Sequence, residues 1–189
     1  MILILNNGGQ YVHRIWRSLK YLGEESEIIP NDTPVKEILA RNLVGLILSG
    51  GPCSVYGGVG KLGSSMDVLE SGIPVLGICL GHQLIALKMG GKVQKGESAE
   101  YAQVEVRILE RDDLFQGLSE KIQVWESHKD EVSEIPEEFI ALAESDICRF
   151  EAVKHNKLPI YGVQFHPEVE HTPDGPLILK NYVNACSKD

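Results

Sequence analysis

Along the first half of the chain, short apolar runs ending in polar, glycine-containing turns alternate with segments whose apolar positions recur at helical spacing. Ile2–Leu5 is unbroken apolar sequence before Asn6-Asn7-Gly8-Gly9, as a strand buried on both faces requires. Val12, Ile15, Trp16, Leu19 and Leu22 then recur at the spacing of one helix face, with Gly23 as the stop. The same alternation predicts a strand at Glu27–Ile29, a helix at Val35–Arg41 and a strand at Val44–Leu48. A helix at Ser65–Ser71, a strand at Pro74–Cys79 and a helix at Gly81–Met89 follow. Strand then helix, repeated through short connections, means right-handed crossovers and a parallel sheet covered on both faces.

Beyond residue 100 the pattern changes. Val104, Val106 and Ile108 alternate with Glu105 and Arg107, the signature of a strand with one wet face and therefore of an antiparallel addition. Further strands are predicted at Ile122–Trp125, Phe139–Ala143, Glu151–Lys154 and Ile160–Gln164, and a closing helix at Pro176–Ala185. The expected fold class is α/β: a mostly parallel central sheet flanked by helices, with an added antiparallel strand region. No repeat, low-complexity stretch or linker divides residues 1–189, so a single domain is expected.

A net charge of −9 argues against nucleic-acid or anionic-membrane surfaces. No apolar run approaches the ~20 residues that span a bilayer. The N-terminal apolar stretch is too short for a signal peptide and lacks a basic leader, which places the protein in the cytoplasm. In that compartment the four dispersed cysteines, Cys53, Cys79, Cys148 and Cys186, read as free thiols.

Cys79 differs from the other three. Pro74 to Gln83 reads Pro-Val-Leu-Gly-Ile-Cys-Leu-Gly-His-Gln, a buried strand running into Gly77-x-Cys79-x-Gly81 and then a helix. This is the cysteine form of the nucleophile elbow, a tight strand-to-helix turn that exposes one side chain. A helix start also favours a thiolate through its free N–H groups and dipole. A core cysteine between packing glycines is the lesser reading of the string taken alone.

A reactive thiol needs a base, and the base needs an orienting group. Ile160 to Val169 supplies both: His166 ends a buried strand, and Glu168 follows across the stiff Pro167. An oxyanion hole would draw on the backbone N–H of Leu80 and of Gly51, in the Ser49-Gly50-Gly51-Pro52 loop that ends a neighbouring strand. Gly58-x-Gly60-x-x-Gly63 follows no convincing strand, and Gly60-Lys61 lacks the Ser or Thr of a phosphate loop. The remaining histidines show no metal-ligand spacing.

The elbow Gly77–Gln83, the Ser49–Pro52 loop and the Val163–Val169 motif resemble the class I (triad) glutamine amidotransferases. Asn7-Gly-Gly-Gln-Tyr11, Val124–Val132 and His171-Thr172 are similar to the branch that provides glutaminase subunits to GMP synthetase. The resemblance implies a flavodoxin-like fold and hydrolysis of L-glutamine through a thioester on Cys79, with His166 as acid and base. It implies that Gln83 and the Ser127–His128 region hold the glutamine. Asn7 stands where many members carry Asp. No cofactor is expected in this chain. ATP and Mg²⁺ are expected on a separate ATP-pyrophosphatase subunit that converts XMP to GMP, because no Ser-Gly-Gly-x-Asp-Ser loop occurs here. Service to another synthase, anthranilate or aminodeoxychorismate, is the nearest alternative. The others are a cysteine peptidase and a non-catalytic binding subunit.

Overall fold

The structure, a computed structural model, describes residues 1–55 and 62–187, with residues 97–100 described by their backbone alone. Nine strands form one mixed sheet: β1 (Ile2–Asn6), β2 (Ser26–Pro30), β3 (Gly45–Leu48), β4 (Val75–Ile78), β5 (Lys92–Ile108), β6 (Lys121–Glu134), β7 (Phe139–Glu144), β8 (Ala152–His155) and β9 (Ile160–Val163). Their order is β2-β1-β3-β4-β9-β8-β7-β5-β6. The pairings from β2 to β9 are parallel, in the doubly wound arrangement, and those from β9 to β6 are antiparallel.

The period-two pleat explains why the early strands are apolar throughout. Ile2 and Ile4 enter one core with α1 (Val12–Tyr21) and α4 (Gly175–Ala185). Leu3 and Leu5 enter the opposite core with α2 (Val35–Leu39) and α3 (Leu80–Lys88). On the first face, the Tyr182 hydroxyl of α4 lies 2.7 and 2.9 Å from the Leu46 and Pro74 carbonyls, either of which accepts its one hydrogen. It thereby ties the closing helix to β3 and to the start of β4. No helix among the described residues is long and apolar enough to cross a membrane.

Three expectations need correction, the first being the strand placed at Ile122–Trp125, which runs on to Glu134 because β5 pairs with it throughout. In place of a helix over Ser65–Ser71 stand two 3-10 turns, Gly63–Ser65 and Asp67–Glu70. Serine side chains compete there for local partners: Ser64 Oγ donates to the Thr33 carbonyl and Ser65 Oγ to Asn7 Oδ1. The strand expected near Val104–Ile108 begins twelve residues earlier, at Lys92. It pairs with β6 across register shifts at Lys92/Val93 and Lys95/Glu100, and such irregularities erase the alternation that marks a strand in sequence. Gly63 sits at φ +52, packed on the Asn31 backbone, whereas Gly58, Gly60 and Lys61 lie outside the described residues.

Candidate active site

The carboxyl ends of β1, β3, β4 and β9 meet at one edge of the sheet, where open α/β folds gather ligands. From β4 the chain passes into Cys79, which adopts φ 52, ψ −105 before α3 begins. Among the described non-glycine residues it alone has positive φ. A conformation of that kind costs about 1–3 kcal/mol and persists only where its surroundings enforce it. Here the Cys79 N–H donates to the Val163 carbonyl at 2.8 Å, and the Cys79 carbonyl accepts from Gln83 N at 3.1 Å. A Cβ on Gly77 would overlap the Gly81 backbone, and one on Gly81 would overlap the Leu48 carbonyl. The two glycines let helix, elbow and neighbouring strand close to backbone contact.

His166 follows β9 on a segment clamped from both sides. Its N–H donates to the Trp125 carbonyl at 3.0 Å, and its carbonyl accepts from Thr172 Oγ1 at 2.8 Å. The same hydroxyl accepts from Trp125 N at 2.9 Å, so one buried threonine joins β6 to the His166 loop. Nδ1 of His166 lies 2.8 Å from Glu168 Oε1, which leaves the other ring nitrogen for its contact with Cys79. Burial pulls the His166 pKa down, but the Glu168 carboxylate and Cys79 outweigh it and hold the ring well above the ordinary histidine value. Tyr11 packs edge-on against the imidazole at 5.0 Å.

Cys79, His166 and Glu168 open on a cavity of ≈490 Å³, walled by the Gly8–Val12 turn, the Gly50–Ser54 loop and residues 127–130 of β6. Leu80 and Gly51 also line it. The loop after β3 is held through Asn7, whose N–H donates to Ser49 Oγ and whose Nδ2 donates to the Ser49 carbonyl, both at 2.9 Å. Asn7 Oδ1 accepts from Asn31 Nδ2 and Ser65 Oγ. An aspartate could not donate to the Ser49 carbonyl, so Asn7 acts as a brace between three loops. Ser49 Oγ in turn donates to the Gly50 carbonyl at 2.9 Å, fixing one end of the Gly50–Gly51 peptide.

On the β6 side, the Ser127 carbonyl lies 3.8 Å from Cys79 Sγ. Gln83 lines the cavity, but its Nε2 is already donated to the Asp130 carbonyl (2.6 Å) and Gln164 Oε1 (3.2 Å). His128 lines it with both ring nitrogens held, Nδ1 by the Asp130 carbonyl and Nε2 by Glu126 Oε2. Three other histidines, His82, His155 and His171, serve packing or backbone contacts. His82 is sealed against Gly162, and its pKa is pulled down to about 3 by burial. His155 Nδ1 accepts from two backbone N–H groups, and His171 stacks on Trp125. Cys148 is buried, and its thiol is pushed far up by burial and by Glu151.

Residues 3–186 match the family described as Glutamine amidotransferase class-I. The chain belongs to that family. Its relatives include proteins named as the A-type subunits of glutamine-hydrolyzing GMP synthase. That of Pyrococcus abyssi is 57% identical over the full length of both chains, and that of Methanocaldococcus jannaschii is 54% identical over 98% of this chain and 97% of the other. A crystal structure from Thermoplasma acidophilum, described as that of a putative protein of the same A type, superposes on this amidotransferase with a TM-score of 0.92. It is 40% identical, over 98% of this chain and 93% of the other. A glutamine amidotransferase structure from Thermotoga maritima shares the fold at a TM-score of 0.73 and 20% identity, over 89% and 76% of the two chains.

Several residues around the amidotransferase pocket were silent in the sequence. Thr172, Asn7, Tyr11 and Ser49 lay within strings that carry a family likeness, but nothing marked their bracing contacts. They are single polar residues whose partners lie far away in the chain, so no local spacing reports them.

Proposed function

We propose that the protein is the glutaminase subunit of GMP synthetase, as its full-length likeness to the A-type GMP synthase subunits supports. The observation that carries the chemistry is the alignment Cys79–His166–Glu168 at the cavity, with Glu168 on Nδ1 and the thiol on the other ring nitrogen. Cys79 Sγ attacks the side-chain amide carbon of glutamine, and the C–N bond breaks as His166 delivers a proton to the departing ammonia. Water, deprotonated by His166, then cleaves the thioester to give glutamate and restore the thiol. The backbone N–H groups of Leu80 and Gly51 receive the developing oxyanion. Ser127, His128 and Gln83 form the wall that holds the glutamine.

The ammonia passes to a separate subunit, the ATP-pyrophosphatase that aminates XMP with ATP and Mg²⁺; the reaction on this chain needs no cofactor. The free subunit is a poor glutaminase, because its Gly50–Gly51 peptide completes the oxyanion hole only when the loaded partner docks. Combining the two subunits with ATP, Mg²⁺, XMP and glutamine, and measuring GMP, tests the assignment. Glutamine-dependent GMP is expected, together with a higher glutaminase kcat than the free subunit shows. Ammonia delivered instead to chorismate by an anthranilate or aminodeoxychorismate synthase subunit would overturn it.

A further inference from the structure

Glutamine offers a pocket N–H donors at two places, its side-chain amide and its α-ammonium group, so a pocket that holds it needs an acceptor on display. Gln83 lines the cavity one helical turn after the nucleophile, with its own N–H on the Cys79 carbonyl. Its side-chain amide can in principle show the cavity either an oxygen or an NH₂ group. The contacts around it decide which. The Asp130 carbonyl can only accept, so the Gln83 atom 2.6 Å from it is the nitrogen. The second hydrogen of that nitrogen goes to Gln164 Oε1 at 3.2 Å. With both hydrogens engaged, Oε1 is the one polar atom that the Gln83 side chain has left for the cavity.

Gln164 has no other evident task. It follows β9, two residues before His166, has no exposed surface and lies outside the cavity lining. Its main chain is held without the side chain, through a 2.7 Å bond from its N–H to the Glu151 carbonyl. Its Nε2 is sealed from solvent with no hydrogen-bond partner among the described residues. An amide buried in that way is destabilising, and an apolar side chain of the same length would fill the space at lower cost. What the amide contributes in return is one acceptor, and Gln83 is the group that uses it.

We propose that Gln164 is a positioning residue for the substrate: by taking the second N–H of Gln83 it turns the Gln83 carbonyl into the pocket, where that oxygen accepts an N–H of the bound glutamine. This rests on the reading of the cavity as the glutamine site. The two acceptors belong to different elements, β6 and the segment that carries His166, so the Gln83 amide is held at two points and cannot swing about either one. Without Gln164, Gln83 keeps the Asp130 contact but regains rotation. Its freed N–H can then face the pocket and oppose the donors of glutamine.

The test measures glutamate release against glutamine concentration in the complex with the synthetase subunit, ATP, Mg²⁺ and XMP. Gln164→Met keeps the length of the side chain and removes the acceptor. Its KM should rise about fivefold, the worth of one neutral hydrogen bond, with kcat within about twofold of wild type. Gln83→Ala should raise KM at least as far. The double variant should stay within about twofold of Gln83→Ala, because Gln164 then has nothing to position. A Gln164 that only packs would lower the melting temperature and leave KM alone, and one that acts through His166 would lower kcat. Either result overturns the inference, and so does a double variant whose KM rises by the product of the single effects. If Gln164→Met does not fold, Gln164→Asn decides: it keeps the amide but withdraws it by one methylene, so KM should rise in the same way, and an unchanged KM overturns the inference. A wild-type complex that releases no glutamate overturns the glutamine reading and this inference with it. Wild-type turnover beside a Gln164→Met of unaltered KM overturns the inference alone.

Discussion

The parallel and antiparallel halves of the sheet both build the pocket, but by different physics. In the parallel half, β4 delivers Cys79 through backbone geometry: a strained residue between two glycines, each filled by a neighbouring main chain. In the antiparallel half, β6 presents a wall fixed by side chains: Thr172 on Trp125, Glu126 on His128, and Gln83 on the Asp130 carbonyl. Backbone packing of the first kind is all-or-none, because overlapping main-chain atoms have nowhere to go. Polar bracing of the second kind is graded, each contact contributing on the order of 1 kcal/mol. The amidotransferase places Cys79 in the rigid half and much of the pocket wall in the tunable one.

Substitutions separate the halves by the size of their effect. Cys79→Ala should lower glutamate release by at least about 10⁴-fold with an unchanged melting profile, since only the nucleophile is removed. His166→Ala should come close to that loss. Glu168→Ala should be about a hundredfold less harmful, because an orienting carboxylate fixes the ring but transfers no proton. Single-turnover glutaminase assays rank the three, and a Glu168 variant deader than the His166 variant would reverse the roles. Glu168→Gln should also move the His166 limb of the pH–rate profile downward, because the carboxylate is what outweighs burial at that ring.

Gly81→Ala tests the all-or-none claim. Its Cβ meets the Leu48 carbonyl, and denaturant titration should show a loss of about 3 kcal/mol or more. Thr172→Val tests the graded one: a loss of about 1–3 kcal/mol, with kcat down about tenfold as the His166 segment loosens. Equal damage from the two would erase the distinction. Cys148→Ala should be the mildest, keeping near-wild-type turnover in the folded protein at a cost of about 1 kcal/mol for the small cavity.

Legibility in the sequence follows the same division. The strand-to-helix turns of the parallel half are written in contiguous residues, so Gly77-Ile-Cys-Leu-Gly81 announced the tight turn that presents Cys79. His166-Pro-Glu168 was legible for the same reason. The Lys92–Gln103 part of β5 and the Ser127–Glu134 part of β6 were not. Their residues are polar and their pairing is bulged, so they become strands only because each has the other. Asn7 could be noticed but not explained, since its four hydrogen bonds reach Ser49, Asn31 and Ser65 from distant points of the chain. The Ser65–Ser71 segment misled because its apolar positions suit a helix, while its serines favour bonds that a helix interior does not offer.

The pairing of β4 with β9 has a consequence for how the protein is born. These strands lie side by side in the sheet but are separated in the chain by β5 through β8. On the ribosome, β4 leaves the exit tunnel as an open edge, its apolar face covered but its far row of N–H and C=O groups unpaired until Ile160–Val163 arrives. The elbow waits with it, because the Cys79 N–H finds its acceptor only in Val163. From the emergence of Cys79 until Val163 follows it, the chain thus carries a cysteine without a competent turn, and a sticky strand edge beside it. A chain stalled before residue 160 should therefore be a client for chaperones and proteases rather than a stray glutaminase.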